Sequence, residues 1–247
     1  MMKVMAHRGD SGSCPENTII AFEKAITKMA DGIELDIHLS KDGEIFVCHD
    51  ERVDRTTDGR GYIKDLTNNE LEKLDAGSWF SPQFKGVKLP TLKEVFNIMK
   101  NNDLLINIEL KAGSRYYKNI EQKVVSLVYE YGYNKRVIFS SFDHKCLVTL
   151  KNLAPEIKTG ILYAAALIEP WEYAKKIKAD ALHPNFLTVD QELIIGAKRS
   201  GLLLNPYTVN DEHTIKQLAT TQGIDYIITN YPDKAKKIIL RDKYNEK

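Results

Sequence analysis

Short runs of β-branched and aliphatic residues alternate with amphipathic stretches along the whole chain. This order is typical of repeated strand–helix units, in which helices cover a parallel sheet. It predicts nine strands, at Lys3–His7, Ile33–Ile37, Glu44–His49, Leu104–Leu110, Val137–Ser141, Thr159–Tyr163, Ala181–Pro184, Leu202–Pro206 and Tyr226–Thr229. The sequence therefore indicates an α/β fold.

The second and third predicted strands are separated only by Ser40-Lys41-Asp42-Gly43. A parallel connection needs about a dozen residues or more, so this pair is predicted to be an antiparallel hairpin. The other eight strands are then parallel, and a helix is predicted after each. Eight such units in 247 residues predict a TIM (β/α)8 barrel.

The predicted helices have apolar residues at helical spacing. In the first helix these residues are Ile19, Phe22, Ile26 and Met29, behind Asn17 and Thr18 as candidate caps. The other helices are predicted at Leu92–Met99, Ile120–Tyr129, His144–Leu150, Trp171–Lys176, Gln191–Lys198, Asp211–Ala219 and Ala235–Leu240.

Residues 50–90 do not follow the repeat. They contain a glycine-rich turn, a short helix near Asn68–Leu74 and the aromatic pair Trp79-Phe80. We predict that they form a small insertion after the second strand, within a single barrel domain spanning residues 1–247. Trp79 and Phe80 either close over the barrel as a lid or anchor the insertion.

Composition excludes several classes of partner and compartment. The 35 Lys and Arg residues nearly equal the 34 Asp and Glu residues, so there is no basic excess to neutralise a nucleic acid. The N-terminus lacks the apolar core of a signal peptide, and no apolar run is long enough to span a bilayer. Three widely spaced cysteines, Cys14, Cys48 and Cys146, indicate reduced thiols and a cytoplasmic protein.

Charged and ionisable residues cluster at the predicted strand ends, where TIM barrels carry their reactive groups. They are His7-Arg8, Glu34 with Asp36, Glu109 with Lys111, and His49-Asp50. Residues two apart on a strand share a face, so each carboxylate pair or ion pair points the same way. Pairing across the hairpin is expected to place His49 roughly opposite Glu34. Two histidines, three carboxylates and two cations are thus predicted to converge.

Each of these residues also has an ordinary structural interpretation. A Glu-x-Asp strand is often a solvated face, and His7 or His49 alone could be a hydrogen-bonded core histidine. The acids, however, interrupt apolar strands that helices should enclose, and a buried charge without a partner costs several kcal/mol. One hard divalent cation, Mg²⁺ or Ca²⁺, would serve all three carboxylates.

An ordered series of motifs resembles the glycerophosphodiester phosphodiesterase family, of the bacterial cytoplasmic type. The motifs are His7-Arg8-Gly9, Pro15-Glu16-Asn17-Thr18, Glu34-Leu35-Asp36-Ile37, His49-Asp50, Asp54-Arg55-Thr56-Thr57, Ala76-Gly77-Ser78-Trp79-Phe80, Pro90-Thr91-Leu92 and Glu109-Leu110-Lys111. The similarity runs from Ala6 to Thr229-Asn230. It implies a TIM barrel with a small insertion, in agreement with the strand count.

The resemblance also implies roles for individual residues. Glu34, Asp36 and Glu109 correspond to the ligands of a divalent cation, and His7 and His49 to the general acid/base pair. Arg8 and Lys111 match positions that contact the phosphate, and Asn17 and Tyr207 are expected to bind substrate. A tryptophan commonly occupies the position of Tyr207, so this wall of the pocket differs in shape.

The expected reaction is metal-dependent hydrolysis of glycerophosphodiesters to sn-glycerol 3-phosphate and an alcohol. The attacking group is either water or the glycerol 2-hydroxyl, and we favour the hydroxyl, which gives a cyclic phosphate. The alternatives are a lysophospholipase D, a catalytically silent ligand-binding barrel and, with less support, a glycosidase using Glu34 and Glu109. The expected partner is a small-molecule substrate, with no stable membrane insertion. The oligomeric state stays open.

The later strand ends carry weaker signals. Ser141-Phe142 and His183-Pro184 are expected to line the pocket, with His183 as a wall residue rather than a catalyst. His38, His144 and His213 are interpreted as surface or structural residues. The basic last helix is interpreted as a solvated face.

Overall fold

Eight parallel strands form a barrel in the computed structural model, which describes residues 2–245. The strands are β1 (Lys3–His7), β2 (Gly32–Leu39), β3 (Ile45–Val47), β4 (Leu105–Leu110), β5 (Val137–Ser141), β6 (Lys158–Tyr163), β7 (Ala181–Pro184), β8 (Leu203–Leu204) and β9 (Tyr226–Thr229). All except β3 are parallel to their neighbours, in the order β8-β7-β6-β5-β4-β2-β1-β9. The predicted TIM barrel is confirmed.

Backbone hydrogen bonds close the barrel between its first and last strands in that order. The amide of Asp225 donates to the carbonyl of Leu204 at 3.0 Å, and the amide of Ile228 donates to Pro206 at 3.0 Å. The amide of Val209 donates back to Ile228 at 2.9 Å. The ladder of β8 is short, with only two residues in strand geometry, but these bonds leave it no free edge.

The helices lie outside the barrel and pack on the outward-facing strand residues, except for the short second helix, which belongs to the segment 50–90. They are α1 (Ile19–Thr27), α2 (Asn68–Leu71), α3 (Leu92–Ile98), α4 (Ile120–Glu130), α5 (His144–Leu153), α6 (Pro170–Lys176), α7 (Gln191–Arg199), α8 (Glu212–Thr220) and α9 (Pro232–Asn245). Thr18 caps α1, as expected, by accepting from the amide of Ala21. The resulting core includes Phe22, Phe96 and Phe139, all fully buried.

The strand β3 returns antiparallel to β2, so the predicted hairpin is confirmed. Its ladder pairs Leu39 with Ile45, His38 with Phe46 and Ile37 with Val47, and it ends there. The amide of Cys48 still donates to the carbonyl of Asp36 at 3.0 Å. Cys48 therefore lies opposite Asp36, and His49 follows just beyond the ladder, where it borders the same cavity as Glu34.

Residues 50–90 contain α2 and two 3₁₀ turns, Ile63–Asp65 and Pro82–Phe84. They bury a small apolar cluster of their own, which includes Val53, Ile63 and Leu71 and extends to Phe46 of β3. We infer that the segment is an insertion within one barrel domain, because its core is continuous with the hairpin.

Two further expectations concern cysteines and membranes. Cys14, Cys48 and Cys146 are buried and unpaired, as the sequence indicated. Among residues 2–245, no helix combines the length and apolarity that crossing a bilayer requires.

Candidate active site

Three carboxylates meet at the carboxyl ends of β2 and β4. Asp36 pairs in register with Glu109, and Glu34 lies two residues before Asp36 on the same face. One oxygen from each of the three lies within 4.8 Å of the others, and all three residues are buried. The three residues that the sequence predicted as metal ligands are therefore brought together.

Two cations lie against these acids. The Nζ of Lys111 is 2.6 Å from Oε1 of Glu109 and 3.3 Å from Oδ1 of Asp36. The Nε of Arg8 is 3.5 Å from Oδ2 of Asp36. Arg8 adopts a left-handed φ of 56°, and its backbone amide donates to Oε2 of Glu34 at 2.9 Å. Arg8 thus contacts Asp36 through its side chain and Glu34 through its backbone amide.

Burial and mutual repulsion raise the pKa values of two of the acids, and neighbouring cations lower that of the third. Burial, and then the charges of Asp36 and Glu109, raise the pKa of Glu34 well above its ordinary value. Burial and Asp36 raise the pKa of Glu109 to about 7. Burial acts in the same sense on Asp36, but Lys111 and Arg8 outweigh it and lower the pKa of that carboxyl. The protein's own cations therefore neutralise the cluster only in part.

His7 ends β1 and lies in register with Glu34. Its Nδ1 is 2.6 Å from Oδ1 of Asn230, which follows β9. With this oxygen as acceptor, the ring proton lies on Nδ1, and Nε2 keeps a free lone pair. Burial, and then the charge of Arg8, lower the pKa of His7 to about 4, so the ring is neutral near pH 7.

His49 follows β3 and is held by a carboxylate rather than by an amide. Its Nδ1 is 2.6 Å from Oδ1 of Asp50, and Asp50 accepts two hydrogen bonds from Arg55. The backbone carbonyl of His49 lies 3.2 Å from Nε2 of His38, whose Nδ1 contacts the hydroxyl of Tyr117. His38 is therefore structural, one of the two interpretations given above, and it fixes the backbone at His49.

These groups border one cavity of about 100 Å³. On one side it is lined by His7, His49, Arg8 and Lys111, together with Glu34 and Glu109. The opposite side is less polar and is lined by Phe142, Leu162, Tyr207 and Ile228. The rings of Phe142 and Tyr207 meet edge to face, and the Tyr207 hydroxyl donates to the carbonyl of Tyr163 at 3.1 Å. Tyr207 thus supplies the aromatic wall that the sequence predicted.

Asn17 lies behind the carboxylates. It has a left-handed φ of 57°, and its Nδ2 donates to Oδ2 of Asp36 at 2.8 Å. Asn17 is buried and does not border the cavity. Its observed contact orients a carboxylate, and the substrate contact expected for it stays a prediction.

Several residues that were expected near the pocket lie elsewhere. His183 is fully buried below the cavity, where its Nε2 contacts the amide nitrogen of Asn205 at 3.0 Å, so the expectation that it forms a wall was wrong. The hydroxyl of Ser141 donates to the carbonyl of Leu110. The indole of Trp79 donates to Ala76 within the insertion, which favours the anchor over the lid.

Sequence reasoning did not assign roles to Asn230, Asn107 or the Glu16–Arg55 pair. Glu16 and Arg55 occur in the motifs quoted above, and Asn230 ends the region of resemblance. Their presence in these motifs could have marked all three as candidate site residues. Asn107 borders the cavity two residues before Glu109 on the same strand face. Its spacing from Glu109 could have identified it.

Comparisons with known proteins agree with this arrangement. A model of the glycerophosphoryl diester phosphodiesterase family matches residues 7–234. A Caldanaerobacter subterraneus subsp. tengcongensis protein named glycerophosphodiester phosphodiesterase is 46% identical over 93% of this chain and 94% of its own length. A Bacillus altitudinis protein of the same name is 40% identical over 96% and 98%.

Among solved structures, an Oleispira antarctica phosphodiesterase in complex with the product sn-glycerol-3-phosphate has a TM-score of 0.90 and 31% identity, over 96% of each chain. A glycerophosphodiester phosphodiesterase from Agrobacterium tumefaciens has a TM-score of 0.85 and 29% identity, over 97% of this chain and 100% of that one. The resemblance seen in the motifs is confirmed: the chain belongs to the glycerophosphoryl diester phosphodiesterase family, and it is a phosphoric diester hydrolase.

Proposed function

We propose that the protein hydrolyses glycerophosphodiesters to sn-glycerol 3-phosphate and an alcohol. One observation carries the proposal: two histidines with free ring nitrogens border the same cavity as a carboxylate cluster and two cations. The product named for the similar Oleispira antarctica structure, sn-glycerol-3-phosphate, supports the choice of substrate.

The carboxylate cluster fits a divalent cation. Its donors are all oxygens, which suit Mg²⁺ or Ca²⁺ better than zinc. Oε1 of Glu109 and Oδ1 of Asp36 are contacted by Nζ of Lys111, at 2.6 and 3.3 Å, and each carboxylate oxygen has a second lone pair that an ion can use. Glu34, Asp36 and Glu109 would hold the ion. When bound, a divalent cation supplies positive charge against the phosphate oxygens as negative charge grows on them.

Arg8 and Lys111 would contact the phosphate directly. A phosphodiester anion resists attack because its negative oxygens repel a nucleophile, and two fixed cations reduce that repulsion. Lys111 holds its proton firmly, since Asp36 and Glu109 outweigh its burial and raise its pKa to about 12. Both side chains already lie in place against the acids, so little reorganisation accompanies binding.

The different partners of the histidines suggest different roles. Burial and the charge of Arg8 keep the His7 ring neutral, and Asn230 holds its proton on Nδ1, so the free Nε2 takes the proton from the attacking hydroxyl. Burial lowers the pKa of His49, and the carboxylate of Asp50 opposes this shift by stabilising the protonated ring. His7 has no such carboxylate partner on its Nδ1, so His49 is the residue that gives a proton to the departing alcohol as its bond to phosphorus breaks. Each transfer typically contributes about 10²–10⁴-fold to the rate.

In the route we favour, the attacking group is the glycerol 2-hydroxyl. Its oxygen forms a bond to phosphorus while the head-group oxygen leaves, giving a five-membered cyclic phosphate. The histidines then exchange roles: His49 takes a proton from water, the water oxygen binds phosphorus, and His7 protonates the ring oxygen that is released. A substrate analogue without the 2-hydroxyl is expected to resist hydrolysis, and undiminished hydrolysis of it would exclude this route.

The lining of the cavity favours a deacylated substrate over a lysophospholipid. A substrate that keeps an acyl chain needs an apolar channel, whereas most residues that line this cavity are charged or polar. A silent binding barrel would have no use for two histidines with free ring nitrogens. A glycosidase would leave both histidines and both cations without a role.

The reaction can be tested by coupling product release to glycerol 3-phosphate dehydrogenase. Glycerophosphocholine and glycerophosphoethanolamine would be supplied first with a chelator and then with Mg²⁺ or Ca²⁺ restored. Release of glycerol 3-phosphate that depends on the ion is expected. Absence of product from both substrates with every ion would contradict the proposed function, and lysophospholipids would be tested next.

A further inference from the structure

Asn107 completes a square of oxygen-bearing side chains on two adjacent strands. Glu34 of β2 pairs in register with Asn107 of β4, and Asp36 pairs with Glu109. Residues two apart on a strand share a face, so all four side chains point into the barrel. Three corners of the square are the carboxylates of the proposed cation site. The fourth corner is a neutral amide that the proposed mechanism does not use.

The side-chain oxygen of Asn107 is buried and has no hydrogen-bond partner among the described residues. The residue is 1% exposed and borders the catalytic cavity, and its Oδ1 accepts no hydrogen bond from any residue between 2 and 245. Leaving a buried polar group unpaired costs free energy of folding. A well-packed apolar side chain would avoid this cost. The position therefore suits a group whose partner arrives from the cavity.

The surroundings of Asn107 define the chemistry of that partner. A carboxamide offers one acceptor oxygen and two N–H donors, which match the single proton and the lone pairs of a hydroxyl. An anionic partner is disfavoured, because Glu34 and Glu109 lie on either side. The phosphate is already served by Arg8 and Lys111. A neutral hydroxyl of the substrate is the remaining polar group.

We propose that Asn107 binds the terminal hydroxyl of the glycerol moiety, the one farthest from the phosphate, and that it selects for glycerol over alcohols that lack this group. The proposal rests on the proposed function. In that function the 2-hydroxyl is the attacking group, so it cannot also be the fixed partner of Asn107. Asn107 is therefore a specificity-determining residue. A site built to bond a hydroxyl rejects an analogue lacking it, because its own buried group is then left unpaired.

The test compares two substrates that differ only in this hydroxyl. One is glycerophosphocholine, and the other is its 1-deoxy analogue, which has the 2-hydroxyl but a methyl group in place of the terminal hydroxymethyl. We expect the wild-type protein to have a kcat/KM about 10²-fold lower on the analogue, as for a lost hydrogen bond to a buried polar group. Asn107→Leu should lower kcat/KM on glycerophosphocholine by a similar factor and change it little on the analogue.

Asn205→Leu is the matched control. Asn205 is likewise fully buried with an unpartnered Oδ1, but it does not border the cavity. We expect this control to keep the wild-type preference between the two substrates. The midpoint of thermal unfolding is expected to be no lower for Asn107→Leu than for the wild type, because the substitution removes an unpartnered amide. If the leucine variant fails to fold, Asn107→Ser replaces it in the test. We expect the serine variant to lose the same preference for glycerophosphocholine over the analogue.

Two results would overturn the inference. The first is a wild-type protein that hydrolyses both substrates equally well, because no terminal hydroxyl is then recognised. The second is an Asn107→Leu variant that loses activity by the same factor on both substrates, because Asn107 then acts on the reaction and not on this hydroxyl. A wild-type protein inactive on both would overturn the proposed function itself, and this inference with it.

Discussion

The guanidinium of Arg55 donates two hydrogen bonds to the carboxylate of Glu16, at 2.8 and 3.0 Å, although 39 positions separate them in the chain. The same guanidinium donates two to Asp50, and Glu16 also accepts one from Arg8. An unbroken series of charged hydrogen bonds therefore connects Arg8 to the partner of His49. Arg8, in the first loop, and His49, which precedes the insertion, both border the cavity, and these hydrogen bonds hold their positions relative to each other.

Arg55→Ala is expected to lower kcat by about 10-fold, since small losses of orientation in an active site are costly. The substitution removes the hydrogen bonds that Arg55 donates to Asp50 and to Glu16. Arg52→Ala is the control, because Arg52 pairs with Asp54 in the same exposed segment without contacting Asp50. Steady-state kinetics on glycerophosphocholine would measure both variants. Equal kcat values for the two variants would show that the connection does not matter for turnover.

His7→Ala and His49→Ala are each expected to lower kcat by about 10²–10⁴-fold, the usual contribution of one proton transfer. Unfolding in urea should stay cooperative, because neither ring packs in the apolar core. His213→Ala, on the exposed face of α8, is expected to leave kcat unchanged. Loss of cooperative unfolding together with activity would instead assign the histidines to the core.

Mg²⁺ or Ca²⁺ is expected to raise the midpoint of thermal unfolding, because the folded carboxylate cluster binds the ion and the unfolded chain does not. An ion at 100 times its dissociation constant stabilises a fold by about 2.7 kcal/mol. Glu109→Gln removes one of the three charges and should reduce this rise. Differential scanning calorimetry with and without a chelator would measure it. Identical midpoints for the wild type in both conditions would argue against the cation site.

Gly160→Ala is expected to destabilise the fold by about 1–3 kcal/mol, as overpacking of a core typically does. A methyl group there would lie 2.6 Å from Nε2 of His183, and backbone pairing with β5 and β7 limits how far the strand can move. Urea unfolding would measure the change. The same substitution in a His183→Ala background should cost less, and an equal cost in both backgrounds would rule out this contact as the cause.

Asp75 organises the insertion through its carboxylate. Hydrogen bonds from Ser78, then from the amides of Gly77 and Gly86, hold its pKa well below the ordinary value. A lowered folded-state pKa stabilises the fold above the unfolded pKa of about 3.9 and loses that contribution as pH falls further. Asp75→Asn should therefore be less stable than the wild type at pH 7, with a difference that shrinks below about pH 4. Urea unfolding across that range measures the difference, and a constant difference would contradict the assignment.

The order of strands and helices was predictable because it depends on local patterns. Hydrophobic runs and their spacing predicted all nine strands, and connection length alone predicted that β3 turns back along β2. Strand ends were harder: β3 covers Ile45–Val47 where Glu44–His49 was predicted, and β8 covers only Leu203–Leu204. In both cases the partner strand continues past the last pair, so the ladder ends where the two backbones separate, and one strand's sequence does not contain that information.

The acids, cations and histidines of the site were predictable because ionisable residues at barrel strand ends are unusual. Their partners were not, because those pairings join distant parts of the chain. Asn230 lies 223 positions from His7, and no local pattern associates the two. His183 was misplaced for a similar reason: its ring turns over Gly160 on the neighbouring strand, below the cavity, where that glycine leaves space.

The residues that border the cavity come from two parts of the fold that are constrained to different degrees: the barrel strands, and the segment that follows the hairpin strand β3. The eight parallel strands must keep their lengths and register for the barrel to close, so residues such as Glu34 and Glu109 have fixed positions. His49 and Arg55 instead come from a segment outside that constraint, which can grow, shrink or be replaced without reopening the barrel. In evolutionary terms, such a fold can retain an ancestral reaction while its rim, and with it the range of accepted head groups, diverges.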